Sequence, residues 1–310
     1  MELKNNSIID YSDCTVIIPT FFPDDDIFDC INSLPKSIKI LIIDNSYDQR
    51  LLNKIKIFSN CTYYNIGDVG LGKTFNFALT LVKTNYILLT QPDVVLSKNC
   101  LENLIKGINN YPKAGMVAPI VFDNGVYSKY DFYDLKYNKK KKFFQHDFKK
   151  KISILPAGDF CVDAINATTM LIRRDILLKI NGWDENIYVY LEDIDLCLRM
   201  YLAGFCIVKI SNAKVDHKGW SSHFSSIKDT MNISRIWHFT WSSIYFNFKF
   251  CNKFFAYKIL ISIFLKSFFK LILNLFLNKK KYQKNKIKLS ACLAIIMERG
   301  SYFRVKHKTD

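Results

Sequence analysis

No C-x-x-C pair occurs among the nine cysteines of this 310-residue chain, which argues against a structural zinc site built on thiolates. Nine is an odd number and the thiols are scattered, so a short disulfide scaffold is ruled out as well. Met1 to Asp13 is polar and lacks the basic, apolar and small-residue order of an export signal. Scattered thiols without such a signal predict a reducing, cytoplasmic setting. No block repeats at a fixed period, which excludes a solenoid. Acids are nearly missing from residues 249–310, where 15 Lys and Arg stand against Glu298 and Asp310. Of the net charge of +16, the first 248 residues therefore carry only +3. What is present is globular: 49% apolar and 23% charged residues, too apolar for intrinsic disorder. The length suits one large α/β domain with a smaller appendage.

Three short apolar runs punctuate the first third of the chain. Thr15–Pro19 (TVIIP) leads into a polar turn, Ile38–Ile43 (IKILII) ends in Asp44-Asn45-Ser46, and Tyr86–Thr90 (YILLT) ends in Gln91-Pro92-Asp93. Segments with helical spacing, Leu71–Val82 and Lys98–Ile108, lie between and after them. Strands alternating with helices predict a parallel sheet with crossover helices, and such sheets bind ligands at the carboxyl ends of their strands. The expected organisation is an N-terminal extension over 1–12, a nucleotide-binding half over 13–120 and a variable, loop-like insertion over 121–155. A second, acceptor-binding half follows over 156–250, and a basic tail over 251–310. The lysine runs 139–142 and 149–151 read as solvated surface.

Each polar cluster admits two readings. Asp44 could accept the N3–H of a uracil or thymine, or be a solvated turn residue. The stretch Asn65–Asn76 (NIGDVGLGKTFN) carries Gly67, Gly70 and Gly72 ahead of a helix. It could let backbone approach a pyrophosphate, or be a bare glycine turn; it matches neither G-x-x-x-x-G-K-[ST] nor G-x-G-x-x-G. Asp93 suits a divalent ion that favours oxygen ligands, or caps the helix that follows. Tyr188–Arg199 (YVYLEDIDLCLR) sets Glu192, Asp193 and Asp195 among apolar residues, an environment that raises a carboxyl pKa and improves a general base. The same acids could simply complement a helix N-terminus. Glu192 and Asp195, three apart, share a helix face that Asp193 does not. His217, after a short strand, is a ligand candidate or a structural histidine.

Taken in order, TVIIPTF, IIDNS, NIGDVGLGKTFN, QPDVV, NGWDENIYVYLEDIDLCLR and AKVDHKG resemble family 2 inverting glycosyltransferases of the GT-A fold. The resemblance is to the rhamnosyltransferase-like branch and covers about residues 13–250; the segment 234–250 and the ending MERGSYFR are similar to that branch too. The implied fold is a Rossmann-like mixed sheet flanked by helices. By resemblance, Pro19, Thr20, Asp44 and Asn45 would hold the base and ribose of the donor. Gly67, Gly70, Asn76 and Gln91 would lie along it, and Trp183 would wall the sugar pocket. Asp93 and His217 would hold Mg²⁺ or Mn²⁺. Asp193 would be the catalytic base, with Glu192 and Asp195 positioning the acceptor. Gln91 stands where the metal motif commonly has an acid, and Ala167 where a glycine is common.

Phe254–Leu277 is long enough to cross a bilayer, yet Lys258, Ser262, Lys266, Lys270 and Asn274 recur every four residues. A spanning helix would bury Lys266 at roughly 2.5–3.5 kcal/mol. In the membrane plane the same lysines would each gain roughly 1 kcal/mol from anionic lipid. The tail therefore predicts an amphipathic, membrane-associating helix, the alternative being a helix packed on protein. Its phenylalanines fall opposite its lysines, whereas a nucleic-acid groove interleaves them, so no nucleic-acid partner is expected. The combined expectation is a peripheral enzyme on the inner face of the cell membrane. It would move a sugar from a UDP- or dTDP-sugar to a lipid-linked saccharide of a bacterial surface polysaccharide, such as O-antigen, capsule or cell-wall glycan. The alternative is a noncatalytic nucleotide-sugar or glycan-binding scaffold subunit.

Overall fold

The computed structural model describes residues 11–128, 130–144, 155–219 and 228–304. The N-terminal extension before residue 11 and the lysine run 149–151 lie outside them. The first half alternates β1 (Cys14–Thr20), α1 (Asp26–Ser33), β2 (Lys39–Asp44), α2 (Gln49–Ile55), β3 (Cys61–Asn65), α3 (Leu71–Leu81) and β4 (Tyr86–Thr90). Then come β5 (Val94–Leu96), α4 (Cys100–Asn110) and the long β6 (Ala114–Asp123). Short strands follow: β7 (Val126–Tyr127), β8 (Phe132–Tyr133), β9 (Tyr137–Asn138), β10 (Phe143–Phe144), β11 (Phe160–Val162) and β12 (Ala164–Ile165). The chain continues through β13 (Thr169–Arg173), α5 (Arg174–Lys179), α6 (Glu192–Leu202) and β14 (Cys206–His217). It closes with α7 (Lys228–Phe250), α8 (Lys253–Leu273) and α9 (Lys279–Ile296).

The main sheet runs β11-β14-β6-β13-β4-β1-β2-β3, with β5 paired to β14 and β7 to β6. β3, β2, β1 and β4 are mutually parallel, whereas β13 lies antiparallel between β4 and β6. The sheet is thus mixed, as the resemblance implied, with its parallel part where the three apolar runs lie. Both faces are covered, and the alternation is visible within single strands. Val16, Ile18, Ile40 and Ile42 face α1, α2 and α4, while Ile17, Leu41 and Ile43 face α3 and α6. Because β1, β2 and β4 are parallel, TVIIPT, KILIID and YILLT all deliver their polar ends to one edge.

The described residues of the 121–155 insertion, 121–128, 130–144 and 155, carry short strands and not a plain loop. Leu135 is buried in the same core as α3 and α6, and the Leu135 N–H donates to Asp163 (2.8 Å). Lys209 of β14 and Asp131 form an ion pair buried on both sides, and the Lys209 amine also donates to the Pro119 carbonyl. The aromatics that gave this stretch its loop-like composition are its anchors: the Tyr137 hydroxyl donates to the Phe250 carbonyl at 3.1 Å.

Among the described residues no helix is long and apolar enough to cross a membrane. α7 seals one face of the sheet through Phe246 and Phe250. α9 packs on it through Ala291 and Ala294 against Trp237 and Trp241, and α8 joins through Leu260 against Ile244 and Cys292. α8 stops at Leu273, where Asn274 turns its amide onto the Lys270 carbonyl (2.7 Å), so it is shorter than the apolar run that predicted it. It is also three-sided rather than two-sided. Ala256, Leu260 and Ser267 are buried, Lys258, Lys266 and Lys270 are exposed, and between them Phe254, Tyr257, Ile261, Leu265, Phe268 and Ile272 lie open to solvent.

Candidate active site

The ends of β1, β2 and β4, the loop before β13 and the start of α6 surround a cavity of about 620 Å³. On the strand side, Pro19, Thr20, Asn45 and Gln91 line it. The Asn45 side chain is fixed by the Thr74 hydroxyl donating to its Oδ1 (2.8 Å). Asp44 does not reach the cavity. Its carboxylate is fully buried and accepts six hydrogen bonds: Thr20 Oγ1 (3.0 Å), Ser46 N (3.1 Å), Ser46 Oγ (2.6 Å), Asp48 N (3.0 Å), Tyr63 OH (2.7 Å) and Asn65 Nδ2 (3.0 Å). With both oxygens engaged, Asp44 ties three strand ends together and has no capacity left for a base N–H. This corrects its expected role as a base ligand.

Asp93 follows β4 and precedes β5, which pairs antiparallel with the end of β14 in the register His217↔Val94. The pairing brings the Asp93 Oδ2 within 3.4 Å of His217 Nε2, while Asp123 Oδ1 lies 3.3 Å from Nδ1. The helix-cap alternative for Asp93 falls, since the cap of α4 is Asn99. Burial pulls the His217 pKa down, but the two carboxylates outweigh it and leave it raised. No group of three His, Cys, Asp or Glu with metal-binding spacing occurs among the described residues. The donor set is therefore one carboxylate and one imidazole, close enough to share an ion. That set fits a Mg²⁺ or Mn²⁺ that takes its other ligands from phosphate and water, and not a closed protein cage.

Opposite, the chain turns sharply before α6. Tyr190 (φ 68°) and Leu191 (φ 69°) are consecutive non-glycine residues in the left-handed region, a strained arrangement that costs on the order of 1–3 kcal/mol each. The turn starts α6 at Glu192 and presents Asp193 to the cavity. Asp193 Oδ2 accepts from Ala167 N (3.0 Å) and Oδ1 from Ile194 N (2.8 Å). Glu192 is only 5% exposed, and its Oε2 has no hydrogen-bond partner among the described residues. Desolvation raises both carboxyl pKa values, and the charge of Asp193 raises Glu192 further. Backbone N–H groups oppose the rise at both carboxyls, and Glu192, which burial and the neighbouring charge push up to about 8, is the member of the pair that keeps a proton into the neutral range. Ala167, which departs from the glycine common at its position, supplies one of those donors through its backbone.

Several expected site residues lie elsewhere. Asp195 is fully buried and paired with Arg199 and Lys249, which fastens α6 to α7 and removes it from acceptor positioning. Asn76 points at the loop before α6, donating to the Trp183 carbonyl (2.9 Å) and accepting from its N–H (2.9 Å). Trp183 does not wall the cavity; it is buried behind Phe75, ring centroids 4.8 Å apart, and Phe75 does line it. Gly67 packs against Tyr47, outside the cavity lining. Gly70 lines it, but its missing Cβ makes room for Tyr188, whose ring a Cβ would meet at 2.3 Å.

Sequence reasoning missed Asp68, Tyr133, Asn166, Tyr188, Arg235 and Arg304, all of which line the cavity. The Tyr133 hydroxyl donates to Asn166 Oδ1 (3.0 Å), and the Tyr188 hydroxyl donates to Asp68. Tyr188 lay within the stretch singled out for its acids, and Arg304 within MERGSYFR; neither had a partner visible in the sequence.

Strand ends carrying a carboxylate–imidazole pair thus face the Glu192–Asp193 acid pair across the cavity. Residues 15–163 match the sequence model of glycosyl transferase family 2. Rhamnosyltransferase WbbL of Escherichia coli is 30% identical over 189 residues, covering 56% of this chain and 70% of that protein. N-acetylglucosaminyl-diphospho-decaprenol L-rhamnosyltransferase of Mycobacterium tuberculosis is 23% identical over 143 residues, covering 43% of this chain and 47% of that relative, about half its length. In fold, the chain is similar to a mannosyltransferase of Pyrobaculum calidifontis solved with GDP-Man and Mn²⁺ (TM-score 0.51, 13% identity, covering 94% and 90% of the two chains). The chain belongs to glycosyl transferase family 2 and is a rhamnosyltransferase-like member of it.

Proposed function

We propose that this chain transfers a rhamnose-type sugar, with inversion and with a divalent metal, from a dTDP- or UDP-sugar to a lipid-diphosphate-linked saccharide. The observation that carries the reading is the Glu192–Asp193 pair, two adjacent carboxyl groups lining the cavity at the start of α6, of which Asp193 accepts from Ala167 N and Ile194 N while Glu192 Oε2 has no hydrogen-bond partner among the described residues. In this reading Asp193 takes the proton of an acceptor hydroxyl as that oxygen attacks the anomeric carbon from the face opposite the diphosphate. One displacement inverts the configuration, so no protein nucleophile is required. Asp93 and His217 would hold the metal, which when bound offsets charge developing on the leaving diphosphate. The names of the relatives supply the sugar and the lipid-linked acceptor.

Membrane association rests on α8. Six of its exposed apolar residues, Phe254, Tyr257, Ile261, Leu265, Phe268 and Ile272, fall within an arc of about 80° at 100° per residue, and exposed Phe269 and Leu273 carry that surface onto the next arc among Lys258, Lys266 and Lys270. An apolar stripe with a basic flank fits an anionic bilayer surface, where the acceptor also resides.

The test is a nucleotide-sugar panel including dTDP-rhamnose, with Mn²⁺, with Mg²⁺ and with chelator, in the presence of anionic vesicles carrying a lipid-diphosphate saccharide. Metal-dependent release of free nucleotide from one donor, with an inverted product linkage, is the expected result. Absence of binding across the panel would remove the donor reading. Binding of a donor without turnover on any acceptor would favour a noncatalytic scaffold.

A further inference from the structure

Among the described cavity-lining residues the permanent cations are Arg235 and Arg304, facing Asp68, Glu192 and Asp193. Both lie beyond the stretch matched by the family model. Arg304 is held by a built stack. Its guanidinium sits 3.6 Å from the centroid of the Tyr188 ring, and Tyr188 stacks on His238 with centroids 4.4 Å apart. His238 is in turn bonded to Ser301 Oγ (2.9 Å) and to the Phe303 carbonyl (2.9 Å), and Trp241 Nε1 donates to the Arg299 carbonyl (3.1 Å). The segment 299–304 is thereby fastened to α7. Arg304 Nη1 donates to the Ser301 and Phe303 carbonyls (3.0 Å each), and Nε lies 3.7 Å from Asp68 Oδ2. That pair is a third exposed on each side, so it contributes little and yields readily to a stronger anion.

We infer that Arg304 and Arg235 form a diphosphate-binding site on the cavity wall, completed by the segment that follows α9. A guanidinium fixed by stacking and by backbone carbonyls is pre-organised for phosphate oxygens, and loses little entropy on binding them. The inference rests on the transferase reading, in which a nucleoside diphosphate leaves and a lipid diphosphate anchors the acceptor. Either could supply the ligand. The helical tail is then part of the site and not a detachable anchor.

The experiment uses the full chain and inorganic pyrophosphate as probe, followed by calorimetry. Arg304→Gln should weaken pyrophosphate binding by about tenfold or more, the loss expected for one charged hydrogen-bond partner. Arg304→Lys should recover much of it, and thermal unfolding should stay near wild type. Asp68→Asn should leave the affinity unchanged or tighter, because it removes the competing carboxylate. Unchanged pyrophosphate affinity in Arg304→Gln, equal losses in Arg304→Gln and Asp68→Asn, or no pyrophosphate binding by the wild type would each overturn the site. Two further arms, dTDP or UDP and farnesyl diphosphate, identify the source: an Arg304-dependent loss confined to nucleotides assigns the donor, one confined to the prenyl diphosphate assigns the acceptor. If pyrophosphate binding depends on Arg304 while no nucleotide binds, the site stands and the donor reading falls.

Discussion

Two buried acidic centres, one at the end of β2 and one at the start of α6, look alike in sequence and behave oppositely in the fold. Asp44 is surrounded by six donors from three strand ends, and its charge is spent on architecture. At the start of α6, Asp193 accepts from Ala167 N and Ile194 N, Glu192 keeps Oε2 without a partner among the described residues, and both sit behind a strained turn. A saturated carboxylate holds its neighbours in place; a carboxylate left short of donors keeps a proton affinity that chemistry can use. What separates scaffold from reagent here is therefore the count of donors around each acid, not burial.

The sharpest way to break the comparison is Asp193→Asn. Turnover should fall about a thousandfold while nucleotide affinity holds, read by single-turnover assay and calorimetry. Asp44→Asn should give the reverse pattern. It turns an N–H₂ toward groups that donate to Asp44, at about 3 kcal/mol of stability or more in denaturant melts, with turnover per folded molecule little changed. A turnover loss in Asp44→Asn larger than its stability loss explains would place Asp44 back in the donor site. Gly70→Ala comes next. A Cβ at φ +86° would drive into Tyr188, costing about 1–3 kcal/mol by overpacking and loosening nucleotide binding with it. The smallest effect is expected for Glu192→Gln, which mimics the neutral acid and should keep turnover within about tenfold. Its signature is pH. Because the folded Glu192 pKa is raised, the native state keeps a proton that the unfolded chain has released, so wild-type stability falls as pH rises above the ordinary glutamate range. Glu192→Gln should flatten that decline in thermal melts, and an identical decline in both proteins would refute the assignment of the proton.

Much of the fold was legible because apolar runs and their polar ends are local signals. TVIIPT, KILIID and YILLT became β1, β2 and β4, and their shared parallel direction gathers Pro19, Thr20, Asn45 and Gln91 at one edge. The neighbours of Asp93, His217 and Asp193 were legible as motifs, since each follows or begins an element whose type the sequence fixes by period. Illegible were side chains whose direction depends on a distant partner. Asn76 looks like a donor contact until Trp183, 107 positions on, claims both ends of its amide. Asp195 shares a helix face with Glu192, yet Lys249 of α7 draws it the other way. Asp44 could be separated from a ligand only by knowing that β3 pairs with β2 in the register that brings Asn65 beside it. The antiparallel insertion of β13 into the sheet left no trace in composition, because a buried strand reads the same in either direction.

The left-handed pair Tyr190–Leu191 sets a limit on how this protein can be hardened. Selection for heat tolerance rewards substitutions that relax strained backbone, and asparagine or glycine at either position would be an early gain. Relaxing the turn frees the first turn of α6 to slide, and the aspartate it presents would lose its aim on the Ala167 amide. Survivors of a thermal screen that carry changes at 190 or 191 should melt higher and turn over more slowly, so that durability and speed are traded against each other at two adjacent residues.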